Sequence, residues 1–210
     1  MSMPPTTTDP PYVPIRRSGW PVRRTPLWVL FAVLVLAGGA VLVSLSHKPS
    51  HAQQAADLTA YMKDMNAGVE SCAGGVTESQ QALSAIEAGQ TSELKTAIKL
   101  VNYNAANCSP ANNEPLADLT QYQVTESLAS FRLQECTNDF VTWTFPYAMQ
   151  AQEDMVSVMT APSASARAAA NAKLTKDLGQ LDAERAAIYS ILRSAETATG
   201  DHAALPSLPS

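Results

Sequence analysis

From Leu27 to Leu45 the chain runs LWVLFAVLVLAGGAVLVSL, nineteen residues without one charged side chain. At 1.5 Å rise per residue such a run makes about 28 Å of helix, close to the roughly 30 Å hydrocarbon thickness of a bilayer. It predicts one transmembrane helix and divides the rest into a short leader and a long polar remainder. Arg16, Arg17, Arg23 and Arg24 precede the run, and only Lys48 follows it closely. Basic residues beside a span stay on the cytoplasmic side. The expected arrangement is a type II, single-pass cell-membrane protein with its N-terminus cytoplasmic and its C-terminal domain extracytoplasmic. The competing reading is a secretion signal cleaved after Ala52, because Ser50-His51-Ala52 has the small-x-small form. A signal core usually holds about 7 to 15 apolar residues, shorter than this one, so the uncleaved signal-anchor is preferred.

The formal charge of −5 is divided at the same place. Residues 1–26 carry four Arg against Asp9, whereas residues 49–210 carry nine Lys and Arg against eighteen Asp and Glu. An acidic outer domain repels phosphate backbones, so nucleic acid is not an expected partner. Residues 1–26 also carry seven prolines, a composition that favours extended polyproline conformations over a packed core. They read as a Pro-rich cytoplasmic tail. After the span at 27–45 come a juxtamembrane linker at 46–52, a helical domain at 53–198 and a disordered tail at 199–210, where Gly200, Pro206 and Pro209 fall among few apolar residues.

Within 53–198 the signal is spacing. Leu58, Met62, Met65, Val69, Cys72, Val76, Ser79, Leu83 and Ile86 alternate four and three apart, the seam of a helix lying along others. This first helix is expected to start near Gln53 and to stop at Gly89, in a left-handed conformation. Thr91 is expected to cap a second helix carrying Leu94, Ile98, Val101, Ala105 and Cys108, broken by Ser109-Pro110 and the NNEP segment. A third is expected from Pro115 or Leu116 through Leu119, Tyr122, Glu126, Ala129, Leu133, Cys136, Phe140, Trp143 and Tyr147. Pro146 should kink it near Thr142 to Phe145 before helix resumes through Met159. Ala161-Pro162-Ser163 reads as turn and cap, and Leu174, Leu178, Leu181, Arg185, Ile188, Leu192 and Ala195 mark a fourth helix. The predicted fold class is all-α: a single N-terminal transmembrane helix followed by an extracytoplasmic antiparallel four-helix bundle.

Three cysteines lie beyond the span, in a compartment where disulfides form. In an antiparallel helix pair, residues equidistant from the turn share a level. Cys72 and Cys108 are each eighteen positions from Gln90, the centre of the first predicted turn, and both fall on apolar seams. They are the expected disulfide, with Cys136 a buried free thiol in preference to an intermolecular bridge. Gly74 and Gly75 have two readings: a close approach of neighbouring backbone, or a break in the first helix.

Catalytic and metal chemistry lack their usual residues. The three histidines are His47 and His51 beside the membrane and His202 in the tail, off every predicted helix. Glu-x-x-His pairs, His-Glu-x-x-His and Cys-x-x-Cys-His are all missing from the sequence. No cofactor or metal is expected, and the chain is not expected to be an enzyme. Ser92-x-x-Lys95 has the serine–lysine spacing of penicillin-recognising enzymes but none of its companion motifs, and reads as a helix first turn. The acidic pairs Glu135/Asp139, Glu153/Asp154 and Asp182/Glu184 read as solvated helix faces rather than the acid and base of a cell-wall hydrolase. Asn107-Cys108-Ser109 matches a glycosylation acceptor in form and is discounted because Cys108 belongs to the packed seam.

Glu126 and Arg185 interrupt apolar seams, which suggests a buried pair fixing register or the lining of a small pocket. Phe140, Trp143, Phe145 and Tyr147 surround the Pro146 kink, and Trp143, Tyr147 and Arg185 are the candidate contacts for a ligand or partner. The expected function is a non-enzymatic protein-binding or scaffolding module of the cell envelope, acting on another envelope protein or on itself. The alternative is a small-ligand sensor or carrier with a pocket between the helices.

Overall fold

The seam of apolar residues from Leu58 to Ile86 forms one helix, α1 (His51–Glu87), and all nine predicted seam positions are buried. The computed structural model describes residues 49–202 and 204–209. The expected span at 27–45 and the Pro-rich leader lie outside those residues. Among the described residues, no helix is long and apolar enough to cross a membrane, and no strand is present.

The start of α1 is fixed by Ser50, whose side chain accepts a hydrogen bond from the Gln53 amide at 3.1 Å, satisfying one of the free donors of the first turn. Gly89, at φ +96°, turns the chain after the helix, in the left-handed region that glycine enters without a Cβ penalty. Thr91 does not cap the next helix as expected. Thr91–Glu93 instead forms a single 3₁₀ turn without a side-chain cap, leading into α2 (Leu94–Asn107). Val101, Ala105 and Cys108 are buried as the spacing predicts, and Ala97 and Asn104 join them.

The long third helix is not formed. The chain makes a short α3 (Glu114–Leu119) capped by Asn113, an irregular stretch, a 3₁₀ turn over Glu126–Phe131 and then α4 (Leu133–Thr142). The irregular stretch has its own partners. The Gln134 side chain accepts from the Val124 amide and donates to the Tyr122 carbonyl, each at 3.3 Å, taking up backbone groups that a helix would have paired internally. Gln54 donates to the Ser127 carbonyl at 3.1 Å, and the Ser127 hydroxyl donates to Asp57, so this turn is tied to α1. Arg132, at φ +57°, then reverses the chain, and its guanidinium lies on Glu135 in the first turn of α4.

The expected kink is present. Phe145 is extended (φ −135°, ψ 116°), and the Phe145–Pro146 bond is cis. Pro146 has no amide to donate, and the Thr144 hydroxyl sits 3.2 Å from the Phe140 carbonyl and 2.8 Å from that of Val141. Helix resumes as α5 (Met149–Thr160). After the Ala161-Pro162-Ser163 turn, the Ser163 hydroxyl caps α6 (Ala164–Thr199), which ends at a left-handed Gly200. The pairs α1/α2 and α5/α6 pack closely, α2 lies on α5, and α4 lies on α6. The result is an all-helical bundle around one core of Leu, Met, Val and Ile with Tyr61, Phe140 and Trp143.

The tail departs from the expectation of disorder. The Tyr189 hydroxyl donates to the Pro206 carbonyl at 2.7 Å and accepts from the Leu208 amide at 3.1 Å. Leu208 is buried, and Thr59 donates to Asp201 at 2.8 Å. Two leucines and a conformationally fixed proline give this short segment enough apolar surface to lie back on the bundle.

Candidate functional site

Cys72 and Cys108 face each other at an S–S distance of 1.99 Å with Cα atoms 4.7 Å apart. That closeness requires α1 and α2 to approach tightly, and Gly75 permits it. A Cβ there would stand 2.9 Å from Cβ of Asn104, inside ordinary contact distance. Gly74 faces open space, and α1 runs unbroken through both. Of the two readings of the glycine pair, close approach holds, and it belongs to Gly75.

A polar cluster sits beside the disulfide in the buried interior. Asn104 Nδ2 of α2 lies 3.1 Å from the Gly75 carbonyl, 3.3 Å from a Glu78 carboxylate oxygen and 3.4 Å from Ser79 Oγ. The Ser79 hydroxyl lies 2.7 Å from the Gly75 carbonyl and 2.8 Å from Gln152 Oε1. Gln152 Nε2 of α5 donates to Cys108 Sγ at 3.1 Å and to the Ala148 carbonyl at 3.2 Å. Each donor is matched by acceptors, as a buried network requires. The cluster joins α1, α2 and α5 and leaves Ser79 with two side-chain amides and a backbone carbonyl as neighbours, none of which can take its proton.

Cys136 is a buried free thiol, as expected. Burial pushes it up to about 12, so it stays protonated and a poor nucleophile at neutral pH. Its neighbour Tyr61 donates to the Leu133 carbonyl at 3.0 Å and shares a hydrogen bond with Thr137 at 3.1 Å. Burial raises the Tyr61 phenol above its ordinary value.

The predicted contact residues differ in exposure and in their partners. Trp143 is fully buried in the core, and its indole Nε1 has no hydrogen-bond acceptor. Tyr147 is half-buried. The Arg185 guanidinium goes to Asp182 at 2.9 Å. The suggested Glu126–Arg185 pair is not formed, because Glu126 falls at the exposed start of the 3₁₀ turn rather than on a helix seam. Of the acidic pairs, Glu135 is held by Arg132 and Asp182 by Arg185. Asp139 is raised above the usual carboxylate range by burial and then by Glu135, and Glu184 by burial and then by Asp139. Ser92 and Lys95 are both exposed, and His51 and His202 are exposed, away from the buried polar cluster. Among the described residues, no group of three or more His, Cys, Asp or Glu side chains is placed to hold a metal ion.

Two carboxylates are buried where α5 meets α6. Asp154 is 2% exposed and Asp177 8%. Lys173 Nζ binds Asp154 Oδ1 at 2.6 Å, and Gln150 Nε2 approaches the same oxygen at 3.4 Å. Asp154 Oδ2 is buried without a donor. Asp177 lies one turn beyond Lys173 on α6, and its carboxyl is raised above its ordinary value by burial and then by Asp154.

Asn104, Gln152, Lys173 and Asp177 were not singled out by sequence reasoning. A signal was present for Asn104, three residues after Val101 and four before Cys108 on the second helix's apolar seam. No protein-family model, curated protein or solved structure matches this chain.

Proposed function

We propose that the chain is a membrane-anchored, non-enzymatic scaffold: residues 27–45 span the cell membrane with the N-terminus cytoplasmic, and an extracytoplasmic antiparallel four-helix bundle presents a helix face to another envelope protein or to a second copy. The observation that carries this reading is where the polar and apolar groups lie. The interior polar side chains of Ser79, Asn104 and Gln152 bond to one another and to nearby backbone. Meanwhile Leu100 (37% exposed) and Tyr103 (67% exposed) stand on the outer surface of α2, three residues apart and therefore on one face. Tyrosine is among the residues enriched at interface centres.

Photo-crosslinking from position 103 in the full-length chain in its native membrane tests this. A discrete covalent product, lost on Leu100→Asp, supports it, and its mass tells a second copy from another protein. No product at 103 or 100 overturns it.

A ligand-binding reading has one observation in its favour, the buried Trp143 Nε1 donor without an acceptor. Trp20 and Trp28 are the other tryptophans, so the Trp20→Phe, Trp28→Phe chain isolates Trp143 fluorescence. Saturable quenching by a small molecule would favour this second reading.

A further inference from the structure

The α5–α6 contact contains an electrostatic problem that a single proton solves. Two buried aspartates and one lysine meet there: Asp154 on α5, and Lys173 and Asp177 one turn apart on α6. Lys173 satisfies Oδ1 of Asp154, whereas Oδ2 is buried and has no donor. With both carboxyls ionised, neither has a hydrogen to share, and two like charges would face each other out of water, an arrangement such pairs avoid by retaining a proton.

We propose that Asp177 retains a proton and donates it to Oδ2 of Asp154 while Lys173 holds Oδ1, making the α5–α6 hairpin a proton-linked clamp that is closed in mild acid and loosened when that proton leaves. The other charges acting on the group are Lys176 on α6, which favours ionisation of Asp177, and Glu153 on α5, which acts on Lys173.

The direction follows from linkage. A carboxyl raised by burial and by a carboxylate neighbour stabilises the fold while protonated. That contribution is full below the ordinary aspartate value of about 3.9 and is lost as pH climbs through the folded value. This is opposite to a salt-bridged aspartate, whose contribution is lost on acidification. The clamp is built from the hairpin alone and does not depend on what the bundle binds.

Carbon-13 NMR of the aspartate carboxyl carbons in the full-length chain in nanodiscs, titrated from acid to neutral pH, tests the proposal. The expected result is one carboxyl, identified by its absence in Asp177→Asn, that titrates above the ordinary value. Amide protection in α5 and α6, taken relative to the intrinsic base-catalysed exchange rate, should fall across the same interval and stay level in Asp177→Asn, whose amide is a permanent donor. Lys173→Met, a change at a solvent-exposed side chain, should move the transition to higher pH, because Lys173 favours ionisation of Asp177. Titration of both aspartates at ordinary values overturns the clamp. So does an unchanged or lowered transition in Lys173→Met, or a calcium- or magnesium-dependent shift of both carboxyls at neutral pH, which would mean a cation rather than a proton between them.

Discussion

The side-chain amide of Gln152 donates to Cys108 Sγ at 3.1 Å while its carbonyl oxygen stands 2.8 Å from the Ser79 hydroxyl. One residue of α5 therefore touches the covalent tie between α1 and α2 and the polar core of α1 at once. The two contacts are unequal. Sulfur is a weak acceptor, whereas a buried amide oxygen stripped of its donor carries the full desolvation penalty.

That inequality predicts a double-mutant cycle. Ser79→Ala leaves Gln152 Oε1 without the hydroxyl and is expected to destabilise the domain by about 1–3 kcal/mol. Gln152→Leu removes the needy group itself, leaving Ser79 with the Gly75 carbonyl, and should cost less than Ser79→Ala. The double variant should then be more stable than the sum of the single changes allows, by an interaction energy of about 0.5–3 kcal/mol. Denaturant midpoints at unchanged slope measure it, and strict additivity would show that the two groups are not coupled.

The disulfide joins residues 36 apart. In the chain-entropy account, closing a loop of that size stabilises by roughly 3–4 kcal/mol. Cys72→Ala with Cys108→Ala is expected to lower stability by about that amount, measured by thermal unfolding beside the parent. In the parent, a thiol reagent added after unfolding without reductant should label one cysteine per chain, Cys136. Labelling of Cys72 or Cys108 under those conditions would disprove the pairing.

Much of the bundle was legible because burial imposes a period. The nine positions from Leu58 to Ile86 repeat every three and four residues, since only those positions return to the same side of a helix, and all nine are buried. The disulfide was legible because it follows from two levels about one short turn. The third helix was not. Leu119, Tyr122 and Leu133 keep a helical spacing, but the Gln134 amide offers the backbone near Tyr122 and Val124 an alternative set of hydrogen bonds. That competition is decided between residues ten and twelve positions apart, beyond the reach of a periodicity argument. For the same reason the Glu126–Arg185 pairing failed: it presumed that Glu126 lay on a helix the chain does not make. Asp154 reads from sequence as part of a solvated face and Asp177 carries no signal at all, yet both are buried, because a charged residue reads as solvated until a neighbouring helix covers it.

The two adjacent glycines of α1 should respond in opposite directions to the same change. At Gly74 a Cβ meets nothing within 4 Å, and replacing an interior helical glycine by alanine is worth about 0.5–1 kcal/mol. Gly74→Ala is therefore expected to stabilise. At Gly75 the new methyl meets Cβ of Asn104 at 2.9 Å, and the neighbour cannot withdraw easily, since its own Cα is held near Gly75 by the Cys72–Cys108 tie. Overpacking of this kind costs about 1–3 kcal/mol. Gly75→Ala is expected to destabilise, and thermal unfolding of the pair gives the sign directly.

The C-terminal segment makes the final prediction. Tyr189 holds it by two hydrogen bonds, donating to the Pro206 carbonyl and accepting from the Leu208 amide, and Leu205 and Leu208 add apolar contact with the core. Tyr189→Phe keeps the ring and removes both bonds, which at about 0.5–1.5 kcal/mol each is a large share of what can hold so few residues. Global stability should fall by no more than the hydrogen bonds themselves, whereas the segment should detach locally, because its opening exposes only a small part of the core. Amide exchange at Leu208 reports the event. It is expected to accelerate several-fold in Tyr189→Phe while exchange at Ile188 and Leu192, inside α6, stays as in the parent. Equal exchange at Leu208 in the two proteins would mean that apolar contact alone keeps the segment in place.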